Sequence, residues 1–218
     1  WEPIPGVDGD ARLHIVHMDL SGPVAGYSSS TDAHPKTLHP YSNGRKAVYL
    51  NLEFLESGGH LYYAVLSHEL AHLAQWDINP GQEAWLNEGL RETFSYGSAE
   101  DVDVQLTTWG RKSEDPARHY ELSFFFAEYV WERLGEEGIQ QLARIPAQVP
   151  QALNCTFTKQ ELDFDGFFGQ WVLANWMDER YEDANGVYSY RDIAIDLPGE
   201  ILTCCPLESS GRVHQYAA

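Results

Sequence analysis

The sequence predicts an α+β fold, with a small N-terminal β-sheet followed by a mainly helical part. Two observations carry this. Residues 1–58 hold short β-rich runs split by turn-forming residues, whereas from Gly59 onward apolar residues recur at intervals of three and four. In addition, no internal repeat and no low-complexity stretch interrupts the chain. Residues 1–218 therefore read as a single domain, sheet-rich over 1–58, helical over 59–197, and ending in an irregular tail over 198–218.

The first strand falls in ARLHIVHM (11–18), where apolar and polar residues partly alternate, and the next in KAVYLNLEF (46–54). Val48, Leu50 and Leu52 share one side of the second run and Tyr49, Asn51 and Glu53 the other, the pattern of a strand with one buried face. That strand is either interior or an edge on which an extended peptide adds by backbone pairing. Between the two runs, Ser21 to Gly44 is rich in turn-formers.

The first helix is HLYYAVLSHELAHLAQW (60–76), with Leu61, Val65, His68, Leu70, His72 and Leu73 at mixed spacings of three and four, stopped by Pro80 and Gly81. A short turn leads to a second helix, Gln82 to Tyr96. A third is expected over Tyr120 to Gly135, a short fourth in EEGIQQLARI (136–145), and a last in LDFDGFFGQWVLANWMDERY (162–181). Thr158 and Glu161, just before that last helix, have the Thr-x-x-Glu spacing of a capping box. Phe124, Phe125 and Phe126 are expected in the core.

Composition narrows the function classes. With 33 acidic against 14 basic side chains and a formal net charge of -19, the chain lacks the cationic footprint that nucleic acid or an anionic lipid surface requires. The acidity reads as a solvated surface. No segment approaches the ~18 consecutive apolar residues of a membrane span. The chain opens on Trp1, which suits removal of a leader or upstream domain. Cys155, Cys204 and Cys205 lack zinc-ribbon spacing. Two readings of them stand. Cys155 pairs with Cys204 or Cys205 and the protein is secreted or otherwise extracytoplasmic, or all three are buried thiols.

The chemistry concentrates in HELAHLAQW (68–76) and WLNEG (85–89). On a helix, residues four apart lie on one face, so His68 and His72 can aim two imidazoles at one metal. Glu69 is turned roughly 100° from His68 about the axis, toward the open side of such a metal, where a base acting on water belongs. A catalytic zinc site needs a third protein ligand and an open fourth position. Glu88, on the second helix, supplies it, with Trp85, Leu86 and Leu90 free to pack on the first helix. Glu92, one turn further, is placed to orient a liganding histidine. The implied cofactor is Zn2+. His14, His17, His34, His39, His60 and His214 show no ligand spacing. The acidic run from Asp178 (DERYEDANG) offers oxygen ligands for calcium but lacks the spacing of an EF-hand loop.

LSHELAHLAQW followed by WLNEGLRE resembles the gluzincin metallopeptidases, zincin-like enzymes in which the histidines of H-E-x-x-H and a glutamate from the next helix bind zinc. The resemblance implies His68, His72 and Glu88 as ligands and Glu69 as general base. The gap from His72 to Glu88 is slightly shorter than in thermolysin-like and aminopeptidase-like members, which shifts the match toward compact peptidase MA-like enzymes. HYELSFFFAEYVWERLGEEGIQQL is similar to the segment of aminopeptidase-like gluzincins whose tyrosine hydrogen-bonds the oxyanion, a role that maps to Tyr120, with His119 beside it as the other donor. FFGQWVLANWMDERYEDANGVYSYRDI is similar to the C-terminal helical part of hyicolysin-type peptidases.

No counterpart of the acidic motif that anchors a substrate's free amine in aminopeptidases is present, so the resemblance implies an endopeptidase acting on peptide or protein substrates. The alternatives are a non-catalytic, zinc-stabilised binding module of peptidase descent and a zinc hydrolase of a non-peptide amide.

Overall fold

Among the described residues, three short strands and five α-helices follow one another in the order the sequence predicts, sheet first. The computed structural model describes residues 5–20, 22–92, 118–146, 149–157, 162–177, 186–191 and 193, with the backbone alone at 84, 91, 92, 118–121 and 149. The chain divides into two units, Trp1–Gln82 with Arg91–Tyr96, and Glu83–Leu90 with Gly97–Ala218.

The first unit is a three-stranded sheet with one long helix on it. β1 (His14–Met18), β2 (Gly26–Ser28) and β3 (Ala47–Asn51) pair in the order β1-β3-β2. β1 runs parallel to β3, with His14 opposite Ala47, and β2 runs antiparallel to it, with Gly26 opposite Leu50. The KAVYLNLEF strand is therefore central, and the edge reading falls. Among the described strands, β1 and β2 form the edges.

Val48 and Leu50 alternate onto one face of β3 and are buried with Leu55, Tyr62 and Leu73. The predicted alternation ends one residue early. β3 stops at Asn51, so Leu52 lies in a turn and is exposed, while Asn51 is buried and donates from Nδ2 to the Leu20 and Val24 carbonyls at 3.3 and 3.0 Å. On the other face Tyr49 stacks on Tyr27 at 4.5 Å and donates to Asp32 Oδ2 at 2.9 Å.

Helix α1 (His60–Ile78) lies on the sheet through Tyr62, Val65, Leu66, Leu70 and Leu73. Its Asn79 cap donates its backbone N–H to the Gln75 carbonyl at 2.8 Å, and Pro80 then forbids continuation. β2 comes so near that a Cβ on Gly26 would stand 2.6 Å from Val65 Cγ1, well inside van der Waals contact. Only glycine fits there.

The second unit is helical: α2 (Ala84–Glu92), α3 (Arg118–Arg144), α4 (Val149–Thr156) and α5 (Phe164–Met177). The third and fourth helices expected from sequence are one run broken at Gly135, which takes φ 66°, ψ −169° and so separates them as the sequence suggests. α4 is an additional helix, lying in a stretch with no predicted element.

The core joins Leu86, Leu90, Phe126, Tyr129, Phe167 and Trp171, each large side chain contributing about 1.5–3 kcal/mol on burial. Phe125 and Phe126 are buried and Phe124 packs beside them, as expected. Trp85, Leu86 and Leu90, expected to pack on α1, join this α3-centred core, Trp85 edge-on to Phe126 at 5.5 Å.

α5 begins at Phe164 with Asp163 as its cap, whose Oδ1 accepts from the Gly166 N–H at 2.9 Å. The Thr158–Glu161 pair lies outside the described residues. A short segment from Gly186 returns to this core. Tyr129 donates to the Val187 carbonyl at 2.7 Å, Arg133 to that of Ser189 at 2.5 Å, and Trp171 Nε1 to the Tyr190 hydroxyl at 2.9 Å.

Candidate metal centre

On α1 the imidazoles of His68 and His72 turn their Nε2 atoms to 3.1 Å from one another, ring centres 4.8 Å apart and planes at 70°. Two nitrogens bound tetrahedrally to one zinc at ~2.0–2.1 Å would stand roughly 3.3–3.4 Å apart. The pair is thus near chelating separation. Glu88 completes the group: one ligand-capable atom from each of His68, His72 and Glu88 lies within 4.8 Å of the others, all three side chains part-buried. Two imidazoles and one carboxylate are a recognised catalytic zinc donor set, with a coordination position to spare. The residues fit the metal.

The sequence secures these residues from both sides. His68 and His72 are one turn apart on a helix whose sheet-facing stripe, Tyr62, Leu66 and Leu73, is fixed by burial. Glu88 is followed by Gly89, where a Cβ would lie 2.2 Å from the Ser123 carbonyl oxygen on α3. The glycine of WLNEG is therefore a contact requirement that seats the turn carrying Glu88.

Glu69 is not among the three convergent ligands and is buried, only 6% exposed. Burying a carboxylate costs stability, so Glu69 is a residue that packing alone would not select. Tyr120 and His119 fall in the first turn of α3, and Glu92 at the end of α2, with their side chains outside the described set. The acidic run Asp178 to Gly186 is likewise outside it, up to Asn185.

Of the other histidines, His17 Nε2 lies 2.9 Å from the Tyr62 hydroxyl, and His34 pairs with His39 at 4.8 Å between ring centres. Among the described residues neither joins a group of three or more metal-binding side chains. Cys155 is a free, exposed thiol, neither half of a disulfide nor buried, and Cys204 and Cys205 lie outside the described residues.

Two polar constructions have no counterpart in the sequence reading. Lys46 and Asp77 form an ion pair with side chains 8% and 6% exposed. Asp32, buried, accepts from the Asn43 N–H at 2.8 Å and from Tyr49. Burial first, and then the Asp32 carboxylate, push the Tyr49 phenol well above its usual range, and burial raises Tyr27 likewise. Their only sequence signal is a charged or polar residue flanking an apolar run.

No protein-family model matches the chain, and no curated protein does so either. The reading therefore rests on the site itself. His68-Glu69-x-x-His72 with Glu88 downstream is consistent with the H-E-x-x-H-plus-Glu motif of gluzincin zinc metallopeptidases, on a small sheet followed by helices, the zincin-like order. The cluster is consistent with a single Zn2+ and with peptide hydrolysis by activated water and a general-base glutamate. No helix among the described residues is long and apolar enough to cross a membrane.

Proposed function

We propose that this chain is a zinc-dependent metalloendopeptidase, with His68, His72 and Glu88 holding the metal, Glu69 as general base and Tyr120 as a donor to the reacting carbonyl oxygen. The observation that carries the reading is the convergence of the three ligand-capable atoms within 4.8 Å. Bound zinc supplies Lewis acidity, which brings the pKa of its water toward about 7 and polarises the scissile carbonyl.

The chain's own side chains do the rest. Glu69, next in sequence to a ligand but outside the ligand group, takes the proton of the attacking water and returns it to the departing amine. Its buried setting keeps it from competing solvent and suits a carboxylate that must alternate between charged and neutral. Tyr120 is assigned through its likeness to the oxyanion-donor segment, where loss of one donor costs roughly 10²–10³ in rate.

Endopeptidase is favoured over aminopeptidase because the sequence carries no counterpart of the amine-anchoring motif. Against the non-catalytic module stands Glu69, a carboxylate for which a purely structural site has no use.

The test is metal content measured together with cleavage of an unstructured protein. One zinc per chain and cleavage abolished by a chelator and restored by zinc are expected, with zinc lost in Glu88→Ala. Zinc bound with no peptide cleaved would move the assignment to the non-peptide amide hydrolase or the binding module. Full zinc retention in Glu88→Ala would remove Glu88 from the ligand set.

A further inference from the structure

Lys46 immediately precedes β3, and its carbonyl accepts the His14 N–H of β1 at 3.0 Å. Its ammonium crosses to Asp77, and the two side chains are 8% and 6% exposed. One residue thus ties two strands to the last turn of the helix that carries the histidine pair. We infer that Lys46 is a positioning residue for the metal centre, setting through Asp77 the pose of the C-terminal half of α1; this rests on the zinc reading above.

Three physical points support it. Asp77 is the next-to-last residue of α1, where the helix dipole is negative and a carboxylate is unfavourable unless a cation meets it. Lys46 answers both the carboxylate and the dipole. A buried pair of this kind is costly to break on one side, since the remaining charge keeps its desolvation penalty.

The third point is leverage. α1 is pressed against β2 at Val65 through Gly26, a contact with no slack for even a methyl group. At 1.5 Å per residue, His72 lies roughly 10 Å and Asp77 roughly 18 Å along the axis from that contact. A tilt that moves Asp77 by ~1 Å therefore carries His72 by ~0.6 Å, beyond the ±0.2 Å within which metal–ligand distances are held. The ring of Trp76, beside Asp77, meets His34 edge-on at 6.2 Å and adds a second, weaker hold on the same turn.

The experiment compares zinc affinity, by competition with a chromophoric chelator, and the visible spectrum of the cobalt-substituted protein across the full-length wild type, Lys46→Met, Lys46→Arg and the double variant Lys46→Met/Asp77→Leu. Lys46→Met is expected to weaken zinc at least ~10-fold, the range seen when partners outside the ligand shell are lost, and to shift the cobalt bands. Lys46→Arg keeps the pair and should stay within about threefold of wild type by the same measure.

The double variant removes both charges of the pair, so it serves as the readout if Lys46→Met alone does not fold. It should still show weaker zinc binding and altered bands. Wild-type affinity and spectrum in a folded Lys46→Met or double variant would overturn the inference, as would collapse of both variants, which would make the pair a general prop. A wild type that binds no zinc would instead sink the metallopeptidase reading.

Discussion

The two units bury different kinds of side chain. Around α1 the described core is small, Val48, Leu50, Leu55, Tyr62 and Leu73, and it is accompanied by Asp32, Lys46, Asn51, Glu69, Gln75 and Asn79, all buried. The helical unit buries Phe126, Tyr129, Phe157, Phe167 and Trp171 almost completely, and its buried polar residues among those described are Ser123 and Asn175. Burying polar groups costs stability unless each is satisfied, and close-packed aromatics supply it. Stability and chemistry thus draw on different interiors: the helical unit packs aromatics against Trp85, Leu86 and Leu90 of α2, and the sheet unit gives much of its interior to polar groups.

The sharpest way to break that comparison is Glu69→Gln, near-isosteric within the polar interior. Hydrolysis should fall about 10²–10⁴-fold, the usual worth of a general base, with zinc content and thermal midpoint unchanged. A variant that keeps its activity would reduce Glu69 to packing, and one that loses zinc would make it a ligand.

Phe126→Ala probes the other interior. Its ring meets Trp85, Phe167 and Trp171 at 5.5, 6.1 and 5.1 Å, and truncation should cost about 3–5 kcal/mol, read from denaturant midpoints. A loss below ~1 kcal/mol would mean this core is not the stabilising one.

Gly89→Ala tests the seam between packing and chemistry. The added methyl meets the Ser123 backbone, so about 1–3 kcal/mol of destabilisation should come with weaker zinc binding, because Glu88 must move with its turn. Destabilisation with unaltered zinc affinity would uncouple the two.

The smallest effect belongs to Tyr49→Phe. Asp32 keeps its bond from the Asn43 N–H, so about 1 kcal/mol should be lost at neutral pH. The folded protein raises the Tyr49 pKa, so the wild-type contribution is complete below ~10, the unfolded value, and is lost as pH rises through the folded value. The variant should therefore lose less stability than wild type between pH ~9 and ~11, as chemical denaturation at each pH would show. Parallel alkaline limbs would discard the Asp32–Tyr49 assignment.

What was legible in the sequence follows from the range of the interactions. The His68–His72 pair needs only helical periodicity, and Glu88 only a second helix after a short turn. α1, α2, the Gly135 break and α5 are written in apolar spacing and in Pro and Gly signals. β2 has three residues, too few for any period, and α4 has eight with a proline near its start. The core that Trp85, Leu86 and Leu90 enter was not legible, because an apolar stripe states that it will be covered without stating by what. Lys46 and Asp77 stand 31 positions apart, and nothing local in either announces the other. Leu52 continued the alternation on paper, but the strand had already ended.

Gly186 to Ile193 also has a bearing on where this chain can be divided. Val187 and Ser189 receive donors from the buried Tyr129 and the half-buried Arg133, and Tyr190, 7% exposed, takes the Trp171 indole N–H and donates on to Asn175 Oδ1 at 2.9 Å. A shorter piece ending at Met177, the last residue of α5, would remove these acceptors together with Tyr190, whose ring packs in the same core. A fragment meant to keep this core closed therefore has to run through Ile193, beyond the end of α5.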